Sequence, residues 1–295
     1  MPLKVIKYSR TAVLPIISKA LEEDIGRGDI TSLSVLPKGA FSEAAIIAKE
    51  EAVACGLDII SWLYGLLSKK IKVKKFFKDG ERIKKGEVVC SVKGPSLQIL
   101  MGERVALNFI SHMSGIATVT REFADKLGPE IDVLDTRKTH PNLRLIQKYA
   151  VKIGGGKNHR MGLYDQVLIK DNHIDIIAGE EGIDRRQAAI LALKRAEKLA
   201  GRGVKIEIEI DDENVFEAVL EQGADIAMLD NMPINRVRNM ACALKEHHPG
   251  ILIEVSGKLS KSHINKLKSI KEIDRVSLGR ITHSFKIVDY SMEIR

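Results

Sequence analysis

Aromatic side chains are scarce in this chain, at 4% of residues with a single Trp. A platform for single-stranded nucleic acid stacks bases on aromatic rings, so this scarcity argues against one. Cysteine is also rare: Cys55, Cys90 and Cys242 are far apart, odd in number and form no C-x-x-C pair. That pattern excludes a disulfide framework and predicts buried thiols in a reducing, cytoplasmic setting. No uncharged apolar run has the length to span a bilayer, and Met1-Pro2-Leu3-Lys4 lacks an apolar signal core. The histidines show no H-E-x-x-H or similar spacing, which argues against a structural zinc site.

What is present is an ordinary globular profile, 44% apolar and 29% charged over 295 residues. That length suits one large domain, or a barrel with an appendage. The net charge of +8 fits nucleic acid, an anionic membrane or small anions as partners. The lysines are spread along the chain with no basic arm or tail. Runs such as Lys69-Lys70 and Lys84-Lys85 read as solvated faces.

The organisation changes along the chain. Thr11 to Glu22 predicts a helix with Pro15 tolerated in its first turn. Short strands follow at Ala44–Ala48, Ile71–Phe76 and Val88–Val92, punctuated by Lys78-Asp79-Gly80 and Lys85-Gly86. This stretch reads as a small α+β domain. Gln98 to Leu127 predicts a long helical stretch broken near Gly115. Strands and helices then alternate. Strands are expected at Ile131–Leu134, Gln166–Ile169, Lys205–Ile210, Ile226–Leu229, Leu252–Val255 and Arg275–Leu278, and helices at Ile183–Leu199, after Asp212, and at Pro233–His247. That rhythm predicts a parallel sheet, open or closed into a barrel.

Polar residues gather where those strands end. Asp135-Thr136-Arg137-Lys138 follows Leu134, and Lys170-Asp171 follows Ile169. Glu209 sits in the strand closing at Ile210, and Asp230-Asn231 follows the next. Ser256-Gly257-Lys258 and Gly279-Arg280 end the last two. One charged residue after a strand is usually an ordinary loop residue. Six such sites in register are a stronger signal, because the carboxyl ends of parallel strands share one face. Consecutive glycines in Gly154-Gly155-Gly156-Lys157-Asn158-His159-Arg160 allow close backbone approach to a ligand, and His159-Arg160 adds donors for carboxylates. Arg137, Lys138, His159, Arg160 and Lys170 thus form a candidate cationic cluster for multiply anionic substrates. Ser256-Gly257-Lys258 and Ser277-Leu278-Gly279 are candidates for a phosphate cradle of backbone N–H groups. Glu209 and Asp230 suggest ribose hydroxyls, a Mg²⁺ ion or a developing cation. A phosphorylated sugar together with an anionic acid fits this combination.

These stretches resemble the quinolinate phosphoribosyltransferase family. The resemblance is carried by Glu23–Thr31, Glu103-Arg104-Val105-Ala106-Leu107-Asn108, Asp135–Thr139, Gly154–His173, Leu229–Met232 and Thr282-His283-Ser284, and it runs over nearly the whole chain. It implies an α/β fold of the type II phosphoribosyltransferase kind: an N-terminal α+β sandwich domain (residues 1–116) and an open, irregular α/β barrel (117–279), with 280–295 returning to the first. It implies transfer of phosphoribosyl from 5-phosphoribosyl-1-pyrophosphate to quinolinate with loss of CO2, requiring Mg²⁺. It also implies a homodimer, hexamers occurring as well in the family, with no nucleic-acid or membrane partner.

Carried over residue by residue, the resemblance makes Arg104 the arginine that enters the partner's site; read alone, Arg104 would be a helix-surface charge. Arg137, His159 and Arg160 are expected to hold the acid, with Thr136 adding backbone contacts. Lys138 and Lys170 are expected at the reacting phosphoribosyl group. Glu209 and Asp230 are expected to hold the sugar, directly or through Mg²⁺. Lys138, Lys170, Glu209 and Asp230 are the expected catalytic set. Each charge pair at about 4 Å contributes roughly 4 kcal/mol before desolvation at an effective dielectric near 20. Three departures stand out: Lys258 where the family has a second glycine, Ile153 where cysteine is frequent, and Asn142 where glycine is common. A paralogue of molybdenum-transport operons acting on another acid, a Schiff-base aldolase using Lys170, and a nucleic-acid binder suggested by charge are the competing readings.

Overall fold

The computed structural model describes residues 7–201, 203–257, 259 and 261–295. Lys258 therefore lies outside the described residues, and so does its part in the expected phosphate cradle.

The chain opens with helix α1 (Arg10–Ile25), where the Ser9 side chain accepts from the Ala12 N–H. Pro15 is the sixth residue of this helix rather than part of its first turn. It is tolerated because Pro15 and Thr11 are both exposed, so water can reach the carbonyl that loses its partner. Helix α2 (Ile30–Val35) starts at an Asp29 cap, whose carboxylate accepts from the Ser32 N–H at 2.9 Å. Strands β1 (Phe41–Ala48) and β2 (Ala52–Val53), helix α3 (Leu57–Leu67), and strands β3 (Lys72–Lys75), β4 (Arg82–Ile83) and β5 (Val88–Pro95) lead into helix α4 (Ser96–Leu127). Then come β6 (Asp132–Leu134), α5 (Arg144–Ile153), β7 (Val167–Ile169), α6 (Asp171–Glu181), α7 (Arg185–Leu199), β8 (Ile206–Ile210), α8 (Glu213–Gln222) and β9 (Ile226–Asp230). The last elements are α9 (Ile234–His247), β10 (Leu252–Ser256), α10 (Lys261–Leu267), β11 (Arg275–Ser277), α11 (Arg280–His283) and β12 (Tyr290–Ile294).

Two compact units result. The sheet unit runs up to Glu122 and takes in Lys138–Gly156 and Arg280–Arg295; the parallel-strand unit comprises Phe123–Arg137 and Lys157–Gly279. The chain is thus interleaved more than by a single cut after residue 116.

In the sheet unit the strand order is β12-β1-β5-β3, all antiparallel. The C-terminal strand β12 completes one edge, with Ile46 opposite Met292. Beneath it Ile59, Ile60, Leu63 and Tyr64 of α3 are fully buried, and the Tyr64 hydroxyl donates to the Ile99 carbonyl at 3.1 Å. Helix α4 is continuous through Gly115, contrary to the expected break. The glycine is there for contact: a Cβ at Gly115 would lie 2.4 Å from the Lys286 carbonyl oxygen.

The parallel-strand unit has the order β6-β11-β10-β9-β8-β7. All neighbours are parallel, and β6 and β7 at the two ends leave an open α/β barrel. Helices follow the strands because a parallel crossover needs a dozen or more residues. Asp212 caps α8 by accepting from the Val215 N–H at 2.9 Å, and Gly223 ends it at φ 76°. Parallel pairing brings every strand's carboxyl end to one edge, where the polar residues gather.

Candidate active site

Each strand of the parallel sheet delivers its polar residue to that edge in register, with Ser256 opposite Asp230 and Ile210 opposite Leu229. Asp135, just past β6, is fully buried and points its carboxylate at the glycine-rich run. One oxygen accepts from the His159 N–H at 2.9 Å, the other from the Asn158 side chain at 2.6 Å. Lys157 forms an isolated parallel bridge with Leu134, so the run is fastened alongside β6. The bend that follows is closed by Asp165, which accepts from the N–H groups of Met161 (2.6 Å) and Gly162 (2.9 Å).

Arg137 is exposed, whereas Arg160 is only 9% exposed. Burial pulls the Arg160 pKa down, nearby Arg137 adds to this, and Glu207 opposes it. Two guanidinium groups near enough to repel each other are an unfavourable arrangement that a bound dianion would relieve. Arg160 Nη1 donates to the Gln166 carbonyl at 3.2 Å.

At the next strand ends, Lys170 donates directly to the Glu209 carboxylate. The Lys170 backbone N–H is held by His173 Nδ1 at 2.9 Å, which fixes the start of α6. Burial raises the Glu209 pKa, Lys170 lowers it, and Asp230 raises it further. Glu209 and Asp230 therefore share one electrostatic environment at the ends of β8 and β9. An ammonium paired with a carboxylate is the reverse of the desolvated amine that a Schiff-base lysine needs.

Asn231 adopts φ 51°, and its side-chain amide donates to Asp230 at 2.5 Å. Its backbone N–H donates to the Ser256 carbonyl at 3.1 Å. Gly257 lies against it at φ 121°, so close that a Cβ would stand 2.4 Å from Asn231 Oδ1. The second expected cradle is narrower than its sequence suggested. Ser277 and Leu278 are both buried, and the Leu278 N–H is spent on the Leu134 carbonyl at 2.9 Å. A group already in the sheet ladder cannot also hold phosphate, which takes Leu278 out of the cradle.

Sequence reasoning missed three buried acids and an amide. Glu207 and Glu254 are fully buried in the interior of β8 and β10, and both face His159. Burial and the neighbouring Glu207 push Glu254 well above the usual carboxylate range. Asp135 was read only as part of the strand-end motif. Gln147 of α5 is the fourth.

In the sheet unit, Thr282 Oγ1 donates to the Lys138 carbonyl at 2.8 Å. The buried Gln147 sits alongside. Its oxygen accepts from the His140 N–H (2.9 Å), so its amide nitrogen faces His140 Nδ1 (2.7 Å), His112 Nε2 (2.9 Å) and the Thr282 carbonyl (3.2 Å). A backbone N–H can only donate, and this fixes the amide orientation. Burial, with a smaller effect of His140, lowers the His112 pKa to about 4. Asn142 adopts φ 63°, so asparagine stands in for the usual glycine as the next most tolerant residue. Arg104 is exposed on α4 and lines a cleft of about 700 Å³ with Lys49, His112 and Lys286.

Among the described residues no helix is long and apolar enough to cross a membrane. Two family models match the chain: the quinolinate phosphoribosyl transferase N-terminal domain over residues 29–114 and its C-terminal domain over residues 116–293. A probable nicotinate-nucleotide pyrophosphorylase (carboxylating) of Bacillus subtilis is 41% identical over 273 residues, 92% of this chain and 90% of that protein. One of Methanocaldococcus jannaschii is 39% identical over 288 residues, 95% of this chain and 96% of that protein. The solved nicotinate-nucleotide pyrophosphorylase of Francisella tularensis superposes with a TM-score of 0.85 at 32% identity, covering 100% of both chains.

Proposed function

The chain belongs to the quinolinate phosphoribosyltransferase family, and we propose how its own residues divide the reaction that joins quinolinate to 5-phosphoribosyl-1-pyrophosphate. The products are nicotinate mononucleotide, pyrophosphate and CO2, a step of NAD biosynthesis.

The observation that carries this reading is the placement of Arg137, Lys170, Glu209 and Asp230 at or just past the carboxyl ends of strands of one parallel sheet, with Arg160 near enough to Arg137 to feel its charge. Arg137 and Arg160 take the two carboxylates of quinolinate, and the mutual repulsion of the arginines makes an anion between them favourable. Arg104 serves the site of a partner chain in a homodimer. Lys170 and Lys138 are assigned to the reacting phosphoribosyl group; the Lys138 carbonyl accepts from Thr282 Oγ1. Departure of pyrophosphate leaves positive charge on the ribose, and Glu209 and Asp230 hold its hydroxyls and stabilise that charge. The Gly257 turn, with Ser256, faces the 5-phosphate. Attack by the ring nitrogen quaternises it, the cationic ring stabilises the ylid left when CO2 departs, and that carbon then takes a proton from water to give the product.

Glu209 and Asp230 also fit Mg²⁺, since both offer hard carboxylate oxygens from adjacent strands. Glu209 is paired with the Lys170 ammonium and Asp230 with the neutral Asn231 amide, so Asp230 is the easier of the two for a cation to claim. Mg²⁺ would supply neutralisation of the leaving pyrophosphate.

The test is direct: purified protein with quinolinate, 5-phosphoribosyl-1-pyrophosphate and Mg²⁺ is assayed for nicotinate mononucleotide and CO2. Release of CO2 that depends on quinolinate supports the reading. Activity confined to another pyridine or aromatic acid would replace it with the paralogue.

A further inference from the structure

His159 stands among the cations in the sequence, but its surroundings give it another role. Its Nδ1 accepts from the backbone N–H of Arg160 at 2.7 Å. A ring nitrogen that accepts carries no proton, so the ring is neutral and its single proton resides on Nε2. Nε2 faces Glu207 Oε2 at 3.1 Å and Glu254 Oε1 at 3.7 Å, with both glutamates fully buried and the His159 side chain only 7% exposed. Both ring nitrogens are thus engaged inside the protein.

The same glutamate reaches Arg160 by a second route. Glu207 Oε2 accepts from the Gln166 side-chain amide, and the Gln166 carbonyl accepts from Arg160 Nη1. One buried carboxylate therefore holds the backbone of Arg160 through His159 and its guanidinium through Gln166. Asp135 anchors the same run from β6.

We propose that His159 and Glu207 are positioning residues that set the Arg160 guanidinium for the pyridine acid, and that His159 itself donates nothing to substrate. This rests on the reading of Arg160 as a quinolinate ligand. The donor atoms of His159, Glu207 and Glu254 lie within 4.8 Å of one another, a spacing a metal ion could use. The ring chemistry argues against that use. With Nδ1 accepting, Nε2 must keep its proton, and no lone pair remains there for an ion.

Two measurements test the proposal. In ¹⁵N spectra of histidine-labelled protein, His159 shows one protonated and one bare ring nitrogen, and adding quinolinate leaves that signature in place. Protonation of both nitrogens on quinolinate addition would overturn the proposal. In a double-mutant cycle read as quinolinate Kd, Arg160→Ala weakens binding about 10- to 100-fold, the range for losing a charged hydrogen bond. His159→Ala weakens it through the same arginine, so the double variant is no weaker than Arg160→Ala alone by more than about 3-fold. Multiplying losses would mean that His159 contacts the acid independently. If His159→Ala does not fold, the spectra decide the question. An unchanged Kd for Arg160→Ala would instead sink the assignment of Arg160, while the spectra still report on the ring.

Discussion

The Lys170 ammonium donates directly to the Glu209 carboxylate, joining the carboxyl ends of two neighbouring strands. Lys170 is 42% exposed at its side chain and Glu209 only 11%, so the lysine faces outward and the glutamate supports it from within. If Glu209 acts on charge that develops only as pyrophosphate leaves, Glu209→Ala lowers kcat by about 10²- to 10³-fold, the range for one lost electrostatic stabiliser. Quinolinate Kd then stays within about 3-fold of wild type, because that acid is proposed to bind at the arginines. Steady-state kinetics with equilibrium binding of quinolinate separate the two effects. A loss confined to quinolinate affinity contradicts the assignment.

Arg104 and Lys138 provide a test of the proposed homodimer with a shared site. Arg104 is exposed on α4, and nothing in its position requires it for the fold. Arg104→Ala and Lys138→Ala chains are each expected to be inactive alone. Mixed after dissociation, they form heterodimers in which one site regains both residues. Random pairing gives about a quarter of wild-type activity, as expected for a two-fold symmetric dimer with one restored site per heterodimer. Mixing without recovery, with heterodimers verified by mass, would show that Arg104 does not act across chains.

Strand positions and strand-end chemistry were legible in the sequence because an apolar run followed by a polar cluster marks both at once. Lys170, Glu209 and Asp230 were found this way. The buried acids were hidden by the same rule. Ile206-Glu207-Ile208-Glu209-Ile210 alternates as a strand with one solvated face would, yet all five residues are buried. Only the register of the parallel sheet distinguishes Glu207, inside, from Glu209, at the edge. Helix α3 was missed because Leu57–Leu67 is nearly all apolar and shows no periodic contrast. Gly115 was misread because a glycine needed for close approach looks the same in sequence as one that ends a helix. Gln147 has no motif, and its role appears only where α5 meets His112, His140 and Thr282.

His112 is expected to shape acid stability. Its pKa is lowered to about 4 in the fold, chiefly by burial, against an ordinary value of 6.5. Above pH 6.5 the ring is neutral in both states and the contribution is intact. As pH falls towards 4 the unfolded chain binds a proton that the folded chain refuses. Stability is therefore lost by up to about 1.4 kcal/mol per pH unit in that window. Protonation would also oppose the Gln147 amide, which needs His112 Nε2 as an acceptor. His112→Gln keeps an acceptor without a titration, so its urea-unfolding free energy falls less steeply between pH 6.5 and 4. Parallel slopes for the two proteins would show that His112 is not held neutral.

Gly115→Ala sets helix propensity against packing. Alanine in a helix interior gains about 1 kcal/mol over glycine. The new Cβ would lie 2.4 Å from the Lys286 oxygen and 3.0 Å from a Phe285 ring carbon. Backbone cannot move aside as a flexible side chain does, and overpacking of this kind costs about 1–3 kcal/mol or more. A net loss of stability is expected, read as a lower urea midpoint with an unchanged slope. A stabilised variant would mean that the segment around Lys286 is free to shift.

Gly257 packs on Asn231, which holds Asp230, and Gly257→Ala tests the proposed link between a phosphate turn and a ribose carboxylate. Two costs act together: φ 121° is poorly accessible to alanine, and the Cβ would stand 2.4 Å from Asn231 Oδ1 and 3.0 Å from the Asn231 backbone nitrogen. Asn231 cannot yield freely, because its N–H donates to Ser256 and its side-chain amide donates to Asp230. Pushing it away moves Asp230 as well. The variant is expected to raise the KM for 5-phosphoribosyl-1-pyrophosphate by about 10-fold or more, the effect of losing one or two modest hydrogen bonds. Quinolinate Kd should hold, since the arginines proposed for that acid lie elsewhere, Arg137 past β6 and Arg160 in the run before β7. Equal losses for both substrates would indicate that the substitution disturbs the whole edge of the sheet, and the assignment of this turn to phosphate would then lose its support.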